Sequence, residues 1–275
     1  MKAIVNAAVC PLKAEPKWES TLADEVLYGM VVDILEEAAP GWVKVRTHYR
    51  YEGYAPIEQL IVGDEAARAW EALPRRVVRN KNCCDALSIP KVQGCILQSV
   101  TRGAVLGVGG EAEGGWQKVI LADGREGFVQ ASILGAHFTA PCCEDEAGLR
   151  RAIAETALLY RGTHYRWGGK SPLGIDCSGL ASMAYMLCGI CIYRDADIVE
   201  GFPIHEIPRE RMRKGDLLFF PGHVAVYLGE GRYCHSTGRA GDDGFTINSL
   251  DPDAEDFRPD LAEKLSAVGS YFQFF

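Results

Sequence analysis

No window of this 275-residue chain approaches the roughly 18 consecutive apolar residues that cross a bilayer. The sequence therefore predicts no membrane span. Its opening, MKAIVNAAVCPLKAEP, lacks the roughly 7–15-residue hydrophobic core and the small-residue cleavage site of a secretory signal. The expected location is the cytoplasm, or outside the cell where a signal has been removed. An excess of positive charge is missing too: 29 Lys and Arg stand against 37 Asp and Glu, a net charge of −8. That argues against a nucleic-acid partner, whose binding runs on phosphate neutralisation, and against an anionic membrane surface. Metal-ligand spacing is absent. Cys188 and Cys191 form a Cys-x-x-Cys, but no second pair or nearby His completes a zinc set. No metal and no cofactor is expected. The 10 cysteines include two adjacent pairs, Cys83-Cys84 and Cys142-Cys143, which rarely bridge each other, and a chain of this size needs no disulfide staples. A reducing compartment fits this usage. An apolar content of 48% supplies real cores, and the length allows two or three compact units.

What is present centres on Tyr165 to Tyr185, YRWGGKSPLGIDCSGLASMAY. Gly168, Gly169, Pro172 and Gly174 mark a loop before Cys177, and Leu180, Met183, Ala184 and Leu187 recur at helical spacing after it. Cys177 thus opens a helix, where unpaired N–H groups and the helix dipole favour an anion. The position is expected to lower the thiol pKa and make a nucleophile. The plain alternative is a small buried hydrophobe. His223 opens the alternating run HVAVYLG, a strand, and Arg232 to Ser236 reads as its hairpin partner. If Gly229-Glu230-Gly231 form the loop, Leu228 pairs with Arg232 and Ala225 faces His235. His223 and His235 then share a face as diagonal neighbours at roughly 7–8 Å. A two-residue loop would put them on opposite faces. Nucleophile, base and orienting group follow the general triad logic as Cys177, His223 and His235.

The run from Arg161 to Gly179, with Tyr165, Trp167-Gly168-Gly169 and Asp176-Cys177-Ser178-Gly179, resembles the NlpC family of papain-like cell-wall cysteine peptidases. So does Lys214-Gly215-Asp216-Leu217 followed by Gly222 to Tyr227. The resemblance covers roughly residues 145 to 275. It implies Cys177 as nucleophile, His223 as base, His235 as orienting residue, and an oxyanion hole of the Tyr165 hydroxyl and the Cys177 N–H. Trp167 is a candidate wall of the substrate groove, and Asp216 is expected to shape a turn. Arg194 and Arg239 could meet a substrate carboxylate, against the simpler reading of surface arginines.

The first half repeats itself. A shift of 74 residues lays Cys10 on Cys84, Gly29 on Gly103, Gly41-Trp42 on Gly115-Trp116, and Glu52-Gly53-Tyr54 on Glu126-Gly127-Phe128. Each copy holds short alternating runs punctuated by Gly and Pro, the signature of a small antiparallel barrel. The pattern of Gly-Trp, then Lys-Val, then Gly-Tyr or Gly-Phe resembles bacterial SH3-like domains. Asp64 to Leu73 reads as a helix between the copies, with Asp64 as N-cap and Pro74 as stop. A second helix is predicted over Glu144 to Tyr160, with Leu149, Ile153, Ala157 and Tyr160 as its buried stripe. Leu261 to Phe275 leads into a final strand.

The predicted fold is an α+β papain-like catalytic domain preceded by two small all-β SH3-like barrels. The expected divisions are 1–63, first barrel; 64–74, linker helix; 75–138, second barrel; and 139–275, peptidase. This order resembles the γ-D-glutamyl-L-diamino-acid endopeptidases of dipeptidyl-peptidase VI type. That resemblance implies hydrolysis of the γ-D-Glu–diamino acid bond in a murein tripeptide or tetrapeptide with a free L-Ala, releasing L-Ala-D-Glu for recycling. It also implies that Glu25, Tyr54 and Asp176 bind the substrate amine, beside Ser178. Physically, a buried ammonium requires paired negative partners. The plain readings are a solvated Glu25 and a barrel-core Tyr54. A monomer is expected. The alternative is an amidase or acyltransferase on the same scaffold, with the barrels as wall anchors. A non-catalytic wall-binding protein is a third class, disfavoured by the intact Cys177, His223 and His235.

Overall fold

The 74-residue self-similarity is visible strand by strand in the computed structural model, which describes residues 1–273. The first copy holds β1 (Lys2–Val5), β2 (Val9–Lys13), β3 (Leu22–Leu27), β4 (Val31–Ala39), β5 (Trp42–Thr47), β6 (Glu52–Pro56) and β7 (Leu60–Val62). Helix α1 (Asp64–Ala72) follows. The second copy holds β8 (Arg75–Val78), β9 (Cys83–Leu87), β10 (Ile96–Thr101), β11 (Val105–Val108), β12 (Trp116–Ile120), β13 (Glu126–Gln130) and β14 (Leu134–Ala136). The strand order is β3-β2-β6-β5-β4-β1-β7 in one copy and β10-β9-β13-β12-β11-β8-β14 in the other. Adding 74 to β2, β3, β6 and β7 reproduces the bounds of β9, β10, β13 and β14.

The chain divides into two units, Met1–His137 with Ser171–Leu173, and Phe138–Lys170 with Gly174–Phe275. Both barrels thus belong to one unit. The reason is shared core: Tyr28 of the first copy is fully buried among Val78, Leu106, Val119 and Leu121 of the second. Its hydroxyl accepts from the Ala122 N–H at 2.8 Å. Trp70 of α1 packs with Ile4 and Val105, and its Nε1 donates to the Gly29 carbonyl at 2.8 Å. Gly29 has φ +75°, and a Cβ there would lie 2.1 Å from the Val105 carbonyl oxygen, so only glycine fits. One local expectation changes. Gly63, not Asp64, is the N-cap of α1; Asp64 is its first residue and accepts from the Lys2 N–H at 2.7 Å.

In the second unit, α2 (Glu146–Leu158) is capped by Asp145, whose side chain accepts from the Gly148 N–H. The helix is shorter at both ends than the predicted Glu144 to Tyr160. Its stripe of Leu149, Ile153 and Ala157 is buried, as is Tyr160 beyond its end. Two short strands, β15 (Lys170–Ser171) and β16 (Gly174–Ile175), lead to α3 (Cys177–Met186). Nine of its ten residues, from Cys177 to Tyr185, are buried, which marks a central helix. It packs on α2 and on β19 (His223–Gly229). The sheet beneath, in order β17-β22-β18-β19-β20-β21, also contains β17 (His205–Ile207), β18 (Leu217–Phe220), β20 (Arg232–Thr237), β21 (Gly244–Ser249) and β22 (Ala267–Ser270). β22 is the predicted final strand; Phe274 and Phe275 lie outside the described residues.

The β19–β20 hairpin corrects one expectation and keeps its consequence. Gly229 pairs with Arg232, so the loop is the two residues Glu230-Gly231, not three. Their φ values of 53° and 74° fit a type I′ turn, whose twist suits a hairpin. A two-residue loop alone would flip the face, but the register shifts between Tyr227 and Gly229, leaving Leu228 bulged. Beyond the bulge Tyr227 faces Tyr233 and Val226 faces Cys234, so His223 and His235 share a face after all.

Candidate active site

Asp176 caps α3 and is itself held from several sides. Its Oδ1 accepts from the Gly179 N–H at 2.6 Å, from Ser178 Oγ at 3.3 Å and from Arg194 at 3.1 Å. Its Oδ2 accepts from the Gly168 N–H at 2.8 Å and from Arg194 at 3.2 Å. Five donors on one carboxylate fix the first turn of the helix and the glycine loop before it. Arg194, only 1% exposed, also donates to Ser178 Oγ at 2.8 Å and to the Gly169 carbonyl at 3.3 Å. It is a buried clamp rather than a surface arginine, and the charge pair offsets the cost of burying either group alone. Gly179 has no room for a side chain: a Cβ would sit 2.1 Å from the Gly169 oxygen.

Cys177, 8% exposed, begins the helix. The backbone N–H groups of Val224 and Ser178 lie close enough to its sulfur to favour the thiolate. Since Val224 follows His223, this brings the thiol to the start of β19. His223 Nε2 lies 2.7 Å from His235 Nδ1, and His235 Nε2 lies 2.9 Å from Asn248 Oδ1. Ser236 Oγ donates to the Ile175 carbonyl at 2.7 Å, tying β20 to the segment ahead of Cys177.

Electrostatics revise the expected thiol. Burial raises the Cys177 pKa, the Asp176 charge raises it further, and the two N–H donors only partly offset this. The helix terminus therefore does not produce a resting thiolate, because desolvation outweighs the dipole. Burial first, then the neighbouring His235 and Arg258, pushes His223 down to about 3. Burial also lowers His235, against the Asn248 hydrogen bond. At rest the arrangement is a thiol opening α3 and a neutral imidazole opening β19, the strand on which α3 packs, and a neutral imidazole can accept a thiol proton when a carbonyl is attacked. Burial and the neighbouring Cys177 and Asp176 raise Tyr165 to about 12, so its hydroxyl keeps its proton and can donate.

Tyr165 is half-buried and bridges to Ile175, next to Asp176 and Cys177. Ser178 is buried in the Asp176–Arg194 network. Trp167 is 65% exposed on the glycine loop. Ser178 also borders a small cavity with Ala181, Ile192, Tyr193, Asp195 and Val224. Asp216 shapes its turn by accepting from the Arg213 N–H, and it also pairs with buried Arg150 at 2.8 Å. In the other unit, Glu25 lies on β3 at 3% exposure, not solvated as its plain reading held, and Tyr54 lies half-buried on β6. Among the described residues no cluster of His, Cys, Asp or Glu is arranged to hold a metal ion. Sequence reasoning missed Asn248, which carries no motif, and the buried role of Arg194.

The NlpC/P60 family profile matches residues 162–252, and the profile of the bacterial dipeptidyl-peptidase Sh3 domain matches residues 12–60. The chain is 45% identical to the Dipeptidyl-peptidase 6 of Lysinibacillus sphaericus over 99% of its own length and 100% of that protein. The chain belongs to the NlpC/P60 family. It is a cysteine peptidase with a papain-like α+β domain behind SH3-like barrels. A Gamma-D-glutamyl-L-lysine dipeptidyl-peptidase of Bacillus subtilis is 33% identical to this NlpC/P60 chain over 40% of each. The crystal structure of an NlpC/P60 family protein from Bacillus cereus shares the fold, with a TM-score of 0.80 at 22% identity, covering 98% of this chain and 99% of that one.

Proposed function

We propose that this peptidase hydrolyses the γ-D-Glu–diamino acid bond of short murein peptides that carry a free N-terminal L-Ala, and releases L-Ala-D-Glu. The observation that carries the reading is the His223–His235 hydrogen bond on the sheet against which Cys177's helix packs, in a chain so similar over its length to a dipeptidyl-peptidase. His223 Nδ1 takes the proton from Cys177 Sγ as the sulfur attacks the γ-carbonyl of D-Glu. Tyr165 Oη and the Cys177 N–H, which as the first of its helix has no intrahelical partner, hold the oxyanion. The tetrahedral intermediate collapses, His223 gives its proton to the departing amine, and a thioester remains. Water, deprotonated by His223, then cleaves the thioester and restores the thiol.

Selection of a free amine, which the family resemblance assigns to Glu25, Tyr54 and Asp176, is tested with two peptides. L-Ala-γ-D-Glu-diaminopimelate and its N-acetylated twin are incubated with the enzyme and products are read by mass spectrometry. Cutting of the free-amine peptide alone is expected. Equal cutting of both would refute amine selection, and cutting of neither would favour the amidase or acyltransferase reading. The proposal includes a monomer acting in cytoplasmic peptide recycling, checked by light scattering and cell fractionation.

A further inference from the structure

Asn248 stands on β21, 7% exposed, behind the fully buried His235. Its Nδ2 donates to the backbone carbonyl of Asp256 at 2.9 Å. A carbonyl oxygen can only accept, so the amide nitrogen must face it and Oδ1 must face His235 Nε2. That carbonyl is itself held in place, accepting from the Ser249 N–H at 3.2 Å, while the Asp256 carboxylate pairs with Arg232. An acceptor 2.9 Å from His235 Nε2 requires a proton on that nitrogen. A neutral imidazole has one N–H, so His235 Nδ1 is bare and accepts from His223 Nε2 at 2.7 Å. With its proton on Nε2, His223 in turn keeps Nδ1 bare.

We propose that Asn248 is a positioning residue: its amide sets the tautomer of His235, and through it that of His223, so that His223 Nδ1 is free to take the Cys177 proton. This rests on the reading of Cys177 and His223 as nucleophile and base. A backbone carbonyl in β21's neighbour segment, reached through one amide, thereby dictates which nitrogen of a histidine on β19 is basic. Without the amide acceptor, His235 can carry its proton on Nδ1 and donate to His223 Nε2, and His223 then holds its proton on the nitrogen that should be the base.

The first test is nitrogen-15 NMR of the resting wild-type enzyme. Both histidines should show protonated Nε2 and bare Nδ1; a proton on His235 Nδ1 would overturn the proposal. In Asn248→Leu, kcat should fall about 10- to 100-fold with KM within about twofold, the scale of an impaired general base. Its histidine spectrum should show a mixture of tautomers. Asn248→Asp keeps an acceptor toward Nε2 and should hold kcat within about tenfold of wild type. An Asn248→Leu enzyme with wild-type kcat and an unchanged His235 tautomer would overturn the inference, as would an Asn248→Asp enzyme as impaired as Asn248→Leu. Should the leucine variant fail to fold, the wild-type spectrum still decides. That spectrum needs no substrate, so failure to cut either peptide would count against the proposed function and not against Asn248.

Discussion

The two barrels of the first unit are the same scaffold, yet they treat one strand position in opposite ways. On β3, Asp24 and Glu25 are buried at 0% and 3% exposure. On β10, at the matching positions 74 residues on, stand Gln98 and Ser99, and Ser99 is exposed. Asp24 takes a hydrogen bond from Tyr49 at 2.5 Å, and Tyr49 has Asp123 as its counterpart. Burying carboxylates costs free energy unless they are paired. The second copy builds the same seven strands in the same order without them. The acids of β3 are therefore not a requirement of the barrel, and the duplicate inside the chain serves as the control. The proposed role of Glu25 in binding the substrate amine is compatible with that contrast.

The sharpest way to break that comparison is to exchange the two positions' chemistry. Glu25→Gln should lower kcat/KM on L-Ala-γ-D-Glu-diaminopimelate about 100-fold, the scale of one lost buried charge partner. Ser99→Ala should leave it within about twofold, because single surface substitutions of this kind do little. Equal effects in steady-state assays would mean that β3 is special only as a structural edge. The next effect is on stability. Gly29→Ala drives a Cβ to 2.1 Å from the Val105 oxygen, at the seam where the first copy meets the second. By calorimetry its Tm should drop by about 10 °C, from overpacking added to a left-handed backbone. Gly41→Ala, also at positive φ but with nothing within 4 Å, should lose only about 3 °C. Equal drops would show that the two copies are not locked through Gly29.

Much of this was legible in the sequence because it is local. The repeat is a matter of spacing, the glycine loop and Asp-Cys mark the start of α3, and the apolar stripe of α2 is periodic. The shared histidine face was legible as well, but through a wrong loop: no propensity marks Leu228 as a bulge, and only pairing with β20 reveals how it compensates the shorter turn. What stayed hidden depends on distant partners. Arg194 reads as a solvated side chain until Asp176, Ser178 and the Gly169 carbonyl close around it. Asn248 carries no signal except its position 13 residues beyond His235 on a neighbouring strand. The fusion of the barrels hangs on Tyr28 and Trp70, two aromatics that read locally as ordinary barrel and helix residues. The resting charge of Cys177 was misjudged for a related reason, since the helix terminus is visible in sequence and the desolvation around it is not.

Finer differences between the copies sharpen the comparison further. Tyr54→Phe gives β6 the side chain that its counterpart Phe128 already has. The expected change is about a threefold rise in KM for the free-amine peptide, the size of one neutral hydrogen bond. Phe128→Tyr should change nothing measurable in the same assay.

The smallest expected effect is the most discriminating, because it is an absence of change. If Glu25 serves binding and not chemistry, the pH profile of kcat belongs to the second unit alone. Burial first, then the neighbouring His235 and Arg258, takes His223 from 6.5 down to about 3, so it stays neutral far below the ordinary histidine range. Burial and Asp176 raise Cys177 above 9.0, so the thiol stays protonated through neutrality. Protonation of His223 removes the base as pH falls, and ionisation of Cys177 removes the proton destined for the leaving amine as pH rises. Between these limits kcat should be flat from about pH 5 through neutrality and into the alkaline range. The curves of wild type and Glu25→Gln should superimpose at saturating peptide, even though their KM values differ. An acid limb near 6.5 in wild type would mean that His223 is not held neutral by burial. A limb that moves only in Glu25→Gln would put Glu25 into the chemical step, and the β3 acids would then differ from the β10 pair in catalysis and not merely in recognition.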